Sequence, residues 1–308
     1  MRVVVLGLGL QGQKRITIAG DDVIATVDPV VTQAEFRTIE QVPPDSFDAA
    51  LVCTPDSEKI RLLRYLFGLG KHVLVEKPLL AADGEQLRQL ANFARAGRVA
   101  CYTAYNHRFE PNVTSLKKIL DSRRLGALYF ARLFYGNGTA LDVKGSPWRD
   151  RGGGVLADLG SHLLDMALFL FGRNEGKFEM WSANRFENRA FDHALFGRTG
   201  RPTLEFEVTL LSWRNTFMVD VFGELGSAHI HGLCKWGPSS LTLRRRTFPS
   251  GRPEEEVYDL QSADPTWAAE YTYFKELCAR GGTNIDNDLW INAVLNGMAR
   301  SGETDLQG

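Results

Sequence analysis

A carboxylate and an imidazole stand four residues apart in an otherwise apolar stretch of this chain. Asp158 and His162 follow the glycine run 152–154, and Asp165 comes three residues after the histidine. At these spacings the three side chains share one face of a helix. A carboxylate–imidazole pair is costly to bury unpaired, and it can accept and orient a proton. A buried structural histidine explains the same residues equally well at this point.

Asp and His are also metal ligands, so a metal site is a third interpretation. Asp158 and His162 supply only two good ligands, and no third candidate has convincing spacing. His229 and His231 alternate along one predicted strand and are interpreted as sheet surface. We therefore expect no bound metal.

A second reactive group is the lysine of Glu76-Lys77-Pro78, which directly follows the apolar stretch 72–75. That stretch predicts a strand, and ligands of open α/β sheets bind at the carboxyl ends of the strands. The proline ring restricts the residue before it to extended conformations. Taken alone, Lys77 would be interpreted as a surface lysine at a strand end.

Glycines spaced as G-x-G-x-x-G come directly after the first apolar stretch, Val3–Leu6. Between a strand and a helix, the first glycine permits a tight turn, the second lets the backbone approach a pyrophosphate, and the third lets helix and strand pack closely. The amino end of the helix offers unpaired N–H groups to phosphates. The residues of this predicted cofactor loop are Gly7, Gly9, Leu10, Gln11 and Gly12.

Asp28 ends the second predicted strand, where a carboxylate can accept hydrogen bonds from the adenine ribose of a dinucleotide. The same carboxylate would repel a 2′-phosphate, so the sequence favours NAD, with NADP as the alternative. Lys14 and Arg15 lie close by in sequence and could meet a 2′-phosphate. A solvated first turn of helix is the favoured interpretation of these two residues.

Strand and helix signals alternate through the first hundred residues, which predicts βαβ units around a parallel sheet. The predicted strands are Val3–Leu6, Val23–Val27, Ala49–Cys53, His72–Val75 and Val99–Ala104. We expect Ser57 to cap a helix over Glu58–Phe67 and expect Gly84–Ala96 to be helical. Before the third strand only a short helix around Thr32–Ile39 fits, because Pro43-Pro44 interrupts the segment.

The pattern changes after residue 105 and becomes rich in strands. Helices are predicted over Pro111–Arg123, after the glycine run to about Phe171, over Trp267–Arg280 and over Asp288–Ala299, with strands at Leu128–Tyr135 and throughout 178–260. We expect an α/β dinucleotide-binding domain over residues 1–105. Residues 106–308 would form an α+β domain with a large open, mostly antiparallel sheet, whose C-terminal helix could pack back on the first domain.

Composition narrows the function classes. Lys and Arg total 36 and Asp and Glu total 37, which argues against gripping nucleic acid or an anionic membrane by bulk charge. The four cysteines form no C-x-x-C pair, which argues against disulfide scaffolds and zinc ribbons. No apolar run reaches the roughly 18–20 residues of a membrane span. We expect a cytoplasmic chain, complete from its first residue, with no nucleic-acid or membrane partner.

Taken in order, these motifs resemble the Gfo/Idh/MocA oxidoreductases, the family of glucose–fructose oxidoreductase and inositol dehydrogenase. The motifs are the glycine loop, Thr54-Pro55, Glu76-Lys77-Pro78, Tyr105-Asn106-His107-Arg108-Phe109, Pro147-Trp148-Arg149 and the block Gly152–Asp165. The resemblance covers residues 1–172 by motif, and the remainder only by its strand-rich character.

The resemblance implies an N-terminal Rossmann domain, a C-terminal domain with an open sheet, and an active site between them. It implies that Lys77, Asp158 and His162 form the catalytic group around a hydroxyl of a sugar or cyclitol. Cofactor contacts are expected from Thr54, Pro55, Glu76 and Lys77, besides the glycine loop and Asp28. Substrate or nicotinamide contacts are expected from Asn106, Arg108, Trp148 and Arg149.

The chain departs from that family at Arg15 and Lys59, where many members carry histidine, and in its short second crossover. All three departures lie on the cofactor side. They bear on which dinucleotide binds more than on the reaction.

The expected reaction is reversible hydride transfer between a secondary hydroxyl group and C4 of nicotinamide, where the dinucleotide supplies the redox chemistry. His162 would take the hydroxyl proton, Lys77 would stabilise the developing alkoxide, and Asp158 would orient the group. The substrate would be a free sugar, a cyclitol or a nucleotide-linked sugar; Arg244-Arg245-Arg246 could meet a diphosphate, although such a run is more often solvated. The alternative function is a dinucleotide-binding sensor of the same fold, which needs no catalytic set.

The C-terminal sheet also predicts self-association. Residues 217–222 read Phe-Met-Val-Asp-Val-Phe, so both alternating faces of that strand carry apolar side chains, whereas a solvated face should be polar. The apolar residues expected on an uncovered face are Trp181, Phe206, Val208, Leu210, Phe217, Val219 and Val221. Together with the resemblance, this pattern predicts a homodimer, or a tetramer of dimers, formed through the sheet.

Overall fold

Five parallel strands lie at the centre of the amino-terminal part of the chain, in the order β2-β1-β3-β4-β5. They are β1 (Val3–Leu6), β2 (Val23–Val27), β3 (Ala49–Val52), β4 (His72–Glu76) and β5 (Cys101–Ala104). Every residue of β1 and β3 is buried, as expected for apolar strands covered on both faces. The strand order reverses between β1 and β3, which is where ligands bind in sheets of this kind.

Three helices connect these strands: α1 (Leu10–Ala19), α2 (Asp56–Gly68) and α3 (Gly84–Ala96). The predicted Ser57 cap is wrong, because α2 begins at Asp56 after an extended Pro55. Asp56 and Glu58 stand in the first turn, where carboxylates interact favourably with the helix dipole. Ser57 is therefore a residue of the first helical turn.

The predicted short helix over Thr32–Ile39 is also wrong. Phe36 forms a parallel bridge with Val27, and its N–H donates to the carbonyl of Thr26 at 3.0 Å. The backbone thus extends the edge of the sheet instead of coiling. Only a single 3₁₀ turn, Ile39–Gln41, precedes the double proline.

The second sheet has eight strands in the order β13-β12-β11-β10-β6-β9-β8-β7. They are β6 (Leu128–Gly136), β7 (Glu179–Asn184), β8 (His193–Arg198), β9 (Thr203–Thr209), β10 (Thr216–Gly223), β11 (Gly226–His231), β12 (Ser239–Arg245) and β13 (Glu254–Leu260). All pairs are antiparallel except β6 with β9. The accompanying helical segments are α4 (Pro111–Asp121), α5 (Ala140–Lys144), a π-helical turn (Leu156–Gly160) and α6 (Ser161–Phe171).

One face of this sheet is covered by α4, α6 and the π-helical turn. Six of the seven apolar residues expected on the uncovered face are at most 1% exposed: Phe206, Val208, Leu210, Phe217, Val219 and Val221. That part of the prediction is wrong. Side chains alternate between the faces of a strand, so these residues point inward together and their neighbours point outward. Trp181 alone of the seven lies at the surface, 43% exposed.

The outward face is a mixture of charges and aromatic rings. Arg132 donates to Glu205 across neighbouring strands at 2.8 Å. Phe130 and Phe222 stack with ring centroids 4.4 Å apart. His229, interpreted from sequence as sheet surface, is 6% exposed on this face. Its Nδ1 lies 2.6 Å from Asp220.

The last two helices are α7 (Thr266–Arg280) and α8 (Ile285–Asp305). The structure describes residues 1–146, 149–173 and 176–305. The chain divides into a first unit of residues 1–106 and 267–292 and a second unit of residues 107–266 and 293–308. The sequence placed residues 106–308 in one domain and allowed its C-terminal helix to pack back on the first. In the structure residues 267–292 group with the first unit, where Tyr271 of α7 donates to Asp22 at 2.8 Å.

No helix in the described part of the chain is long and apolar enough to cross a membrane.

Candidate active site

The glycine loop after β1 is shaped by backbone contacts that only glycine allows. Gly7 has φ +87°, and a Cβ there would lie 2.5 Å from the carbonyl oxygen of Cys53. A Cβ on Gly12 would lie 1.9 Å from the carbonyl oxygen of Gly7. A Cβ on Gly9 would meet none of the described atoms within 4 Å. The first and third glycines therefore serve packing, and the second leaves open space beside the backbone.

The amino end of α1 faces that open space. The helix begins at Leu10, which is 74% exposed, and no side chain of the described residues caps it at Gly9. Its first N–H groups lack helical partners and carry the positive end of the helix dipole. At the end of the neighbouring β3, the buried hydroxyl of Thr54 has no hydrogen-bond partner among the described residues. These donors fit the pyrophosphate of a dinucleotide.

Asp28 is held as an anion beside the same loop. Its Oδ2 accepts the N–H of Leu8 at 2.8 Å, and its Oδ1 accepts those of Val30 and Val31 at 2.8 and 2.9 Å. Burial alone would raise the pKa of Asp28. The three backbone donors and the charge of Arg37 outweigh it and hold that pKa below its ordinary value. The carboxylate that would meet a ribose is therefore charged at neutral pH.

The favoured interpretation of Arg15 as solvated is wrong. Arg15 is 1% exposed. Its guanidinium lies 2.6 Å from Glu76 and 2.8 Å from Glu270 of α7, over the ring of Trp267. Burial would lower the pKa of Arg15, but the two carboxylates raise it. Enclosed in this way, Arg15 is not offered to a 2′-phosphate; Lys14 is exposed, as expected.

Lys59 is a second buried cation in the first unit. It is 2% exposed, and its Nζ donates to the carbonyl of Pro78 at 2.8 Å and pairs with Asp56 at 2.6 Å. Burial lowers the pKa of Lys59, and Asp56 opposes that shift. Between the partners of Arg15 and Lys59 lies Lys77, half-buried at the carboxyl end of β4, at the edge where the glycine loop also lies.

In the second unit, Asp158 lies in the π-helical turn and His162 in the first turn of α6. The turn follows the glycine run because Gly154 has φ +49°, and a Cβ there would lie 2.3 Å from the carbonyl of Phe191. Asp158 is paired with Arg149 at 3.2 Å, and both side chains are about one-third exposed. Arg149, expected to contact substrate, thus contacts a predicted catalytic residue.

Aromatic rings surround His162, which is 7% exposed. His107 stacks on it with centroids 4.2 Å apart and planes 15° apart. Tyr135 lies 5.8 Å away; burial raises the pKa of Tyr135, and the charge of Asp158 raises it further. Lys235 approaches Nε2 of His107 at 2.8 Å. An imidazole with one ring stacked on it and a second, tilted ring against it can exchange a proton while its orientation is fixed.

Sequence reasoning missed His107, Tyr135, Lys235 and Trp236 as members of this group. The signal for His107 was available, because it stands inside the motif of residues 105–109. The other three come from a strand and a loop far away in sequence. Trp236 lies 5.6 Å from Tyr135 only because the sheet brings them together.

Arg108 and Asp165 form a bidentate ion pair, at 2.6 Å for Nε and 2.5 Å for Nη2. Burial raises the pKa of Asp165, and Arg108 opposes that shift. Asp165 is therefore a buried partner of Arg108. The expected contact of Arg108 with substrate stays a prediction.

The remaining predicted site residues fall in different places. Asn106 is buried at the end of the first unit. Trp148 and Pro147 lie outside the described residues. Lys77 belongs to the first unit, and Asp158 and His162 belong to the second. Within the described ranges, no group of three or more His, Cys, Asp or Glu side chains is arranged to hold a metal ion.

The arginines on β12 have acidic partners on β13. Arg244 pairs with Glu255 at 2.8 Å, and Arg245 lies 3.5 Å from Glu254. The solvated interpretation is favoured for these two side chains, since both are more than 40% exposed. The geometry therefore gives no special support to a diphosphate site here.

Removing Arg108 should expose the cost of burying Asp165. We expect Arg108→Ala to lower the free energy of unfolding by about 3–5 kcal/mol at pH 8, because it leaves an uncompensated buried carboxylate. The loss should shrink towards pH 5. A carboxyl whose folded pKa is raised binds more protons than the unfolded chain does, so stability falls as pH rises above about 4. Urea unfolding at both pH values measures this.

The matched control is Arg61→Ala, which breaks exposed ion pairs with Glu40 and Glu58 in the first unit and should cost about 1 kcal/mol or less. Equal losses in the two variants, independent of pH, would contradict the buried-pair interpretation.

Comparison with known proteins identifies the family to which the two units of the chain correspond. Residues 1–105 match the model "Oxidoreductase family, NAD-binding Rossmann fold", and residues 113–229 match the model "GFO/IDH/MocA C-terminal domain". Together the two models span well over half of the chain.

Among curated relatives, an inositol 2-dehydrogenase of Rhizobium meliloti is 28% identical over 45% of this chain and 41% of its own length. The matches to the first relatives thus span about two fifths of those proteins. Inositol 2-dehydrogenase 2 of Saccharopolyspora erythraea is 26% identical over 82% of this chain and 78% of its own.

A solved levoglucosan dehydrogenase in complex with NADH has a TM-score of 0.86 to this chain, covering 99% of it and 97% of its own chain at 16% identity. At that identity the likeness shows the fold. With both domain models matched in order and the fold shared from end to end, the chain belongs to the Gfo/Idh/MocA family of oxidoreductases.

Proposed function

We propose that the protein is an NAD-dependent oxidoreductase that transfers a hydride between nicotinamide and a secondary hydroxyl group, or the corresponding ketone, of a sugar, cyclitol or nucleotide-linked sugar. The observation that carries the proposal is His162, buried against the rings of His107 and Tyr135, where the charge of Asp158 also acts on Tyr135. A protein that only binds a dinucleotide has no use for such a proton-exchanging group. The names of the relatives, which are inositol and levoglucosan dehydrogenases, support the substrate class.

NAD, when bound, supplies the acceptor for the hydride. The glycine loop, the amino end of α1 and Thr54 would hold its pyrophosphate, and Asp28 would accept hydrogen bonds from its adenine ribose. In the direction of oxidation, His162 takes the proton of the substrate hydroxyl as the carbon–hydrogen bond breaks. Lys77 donates a hydrogen bond to the same oxygen and stabilises its developing negative charge. Asp158 accepts a hydrogen bond from a neighbouring hydroxyl and so orients the ring.

Two substitutions test the catalytic assignment on a panel of myo-inositol, common aldoses and nucleotide-linked sugars, followed by the absorbance of reduced nicotinamide. Lys77→Met and His162→Ala should each lower turnover by about 10²–10⁴-fold, the usual share of general acid–base catalysis. NADH affinity should stay near that of the unmodified protein, because neither change touches the glycine loop. The matched controls are the exposed Lys118→Met and His231→Ala.

Near-normal turnover in both catalytic variants would show that the assignment is wrong. Tight NADH binding by the unmodified protein without turnover of any compound in the panel would favour the sensor.

Asp28 should make the protein prefer NADH over NADPH. Placing like charges together at an interface costs several kcal/mol, so we expect NADH to bind at least about tenfold more tightly. Asp28→Ser should narrow that ratio, whereas Asp21→Ser, at an exposed site in the same region, should leave it unchanged. Dissociation constants from fluorescence titration measure both. Tighter binding of NADPH by the unmodified protein would refute the expectation.

We also propose a homodimer, or a tetramer of dimers, formed through the outward face of the eight-stranded sheet. That face presents exposed rings, with Phe130 and Trp181 each about 40% exposed, among charged pairs such as Arg132–Glu205 that a second copy could complement. The proposed cytoplasmic location rests on the sequence alone.

Light scattering tests the assembly. We expect a mass of two or four times 34.4 kDa, reduced by Phe130→Arg, because a charge would replace an apolar contact. Leu141→Arg, which changes another exposed apolar residue away from the sheet, should leave the mass unchanged. A mass near 34.4 kDa at every concentration would contradict the proposal.

A further inference from the structure

Two buried cations of the first unit hold the backbone on either side of Lys77. Arg15 binds the carboxylate of Glu76, the residue before it, at 2.6–2.7 Å. Lys59 donates to the carbonyl of Pro78, the residue after it, at 2.8 Å. The two cations come from different helices, α1 and α2, and both are at most 2% exposed.

Stability alone does not explain this arrangement. A buried ion pair often contributes no more to folding than apolar residues of the same volume, because both charges must lose their water. Arg15 needs two carboxylates to offset that cost, Glu76 and Glu270. Such groups do fix the orientation of the side chains and backbone that they bind, because a guanidinium binds carboxylates in a fixed planar geometry.

The geometry of the hold is specific to the segment around Lys77. Glu76 is tied through Arg15 to Glu270 on α7, and Pro78 is tied through Lys59 to Asp56 on α2. The two bonds flank one residue, so the direction in which its side chain leaves the backbone is set from both sides. The charge of Lys77 also acts on Lys59. Burial is the main cause that lowers the pKa of Lys59, and the positive charge of Lys77 lowers that pKa further.

We propose that Arg15 and Lys59 are positioning residues for Lys77, which fix the segment that carries it in the orientation needed for hydride transfer. The inference rests on the proposed function, in which Lys77 binds the reacting oxygen. Neither cation needs to touch substrate or cofactor. A misplacement of about 1 Å at a reacting group can cost about 10²-fold in rate, so the effect belongs in kcat.

Lys59→Met is the informative variant. It keeps the aliphatic volume, removes the donor to Pro78, and leaves Asp56 able to reach water, since that side chain is 49% exposed. We expect kcat on the best compound of the panel to fall about 100-fold, with KM and the NADH dissociation constant unchanged. Lys59→Arg, which keeps a cationic donor, should restore most of the rate.

The matched control lies at the other end of the same strand. Lys71 also donates its Nζ to a backbone carbonyl, that of Phe47, at 2.8 Å, next to the first residue of β4. Lys71→Met removes the same kind of bond and should leave kcat unchanged.

Arg15→Met removes the guanidinium that pairs with Glu76 and Glu270, and the chain could simply unfold. Arg15→Lys is therefore used with it, because the ammonium keeps the charge but cannot bind both carboxylates in one plane. We expect Arg15→Lys to lower kcat while KM stays constant.

Two further measurements separate this inference from the proposed function. In a Lys77→Met background, Lys59→Met should cause no additional loss of kcat, because the residue it positions is gone. Hydrogen exchange of the Lys77 and Leu79 amides should be faster in Lys59→Met than in Lys71→Met, whether or not a substrate is known.

The outcomes then differ. Unchanged exchange and unchanged kcat in Lys59→Met overturn the positioning role. An equal loss in both backgrounds overturns it too, because Lys59 would then act elsewhere. If Lys77→Met itself turns over normally, the proposed function fails, and the exchange data still show whether Lys59 holds the segment.

Discussion

A charge buried away from water must be paired, and this constraint acts on both units of the protein. In the first unit Arg15 is enclosed by Glu76 and Glu270, and in the second Arg108 binds both oxygens of Asp165. Each pair includes a carboxylate close in sequence to a proposed catalytic residue, directly before Lys77 and three residues after His162. Because an unpaired buried charge is so costly, the members of each pair must stay close together, and Lys77 and His162 each lie within three residues of such a pair.

The sheets supply the coarser positioning. In the parallel sheet, the reversal of strand order between β1 and β3 leaves room for the amino end of α1 at the carboxyl ends of the strands. Lys77 follows β4, the next strand along that same edge. In the other unit, β6 and β10 carry Tyr135 and Phe217 as paired residues of the covered face, which places Tyr135 against His162 and Phe217 against His107. Within each unit, the pairing of the strands therefore determines which side chains can come into contact. The buried ion pairs add constraints on the segments next to them.

The local sequence was enough to predict the structure where a backbone conformation can be adopted by one residue type only. The shape of the glycine loop was predictable because Gly7 and Gly12 make contacts that any Cβ would prevent. The position of Asp28 was predictable because it directly follows a strand, and its contact with a ribose stays a prediction. Arg15 was not predictable in this way. Its solvation depended on whether α7, about 250 residues later in the chain, would bring Glu270 beside it. The prediction of the uncovered face of the second sheet was wrong for a related reason. When a strand carries apolar residues on both sides, its sequence does not indicate which side the helices cover.

The spacing of Asp158 and His162 likewise predicted only part of the local structure. Four residues predicted a shared helical face, yet the carboxylate lies in a π-helical turn and the imidazole in the α-helix that follows. π-helical turns are rare overall, but a large share of them occur at functional sites. Here the residue before the turn, Val155, donates its N–H to the carbonyl of Phe191 at 2.8 Å. Gly154 allows that close approach. A glycine contact thus holds the turn that carries Asp158, and ring stacking holds the imidazole of His162, so two independent constraints fix the two side chains proposed to exchange and orient the proton.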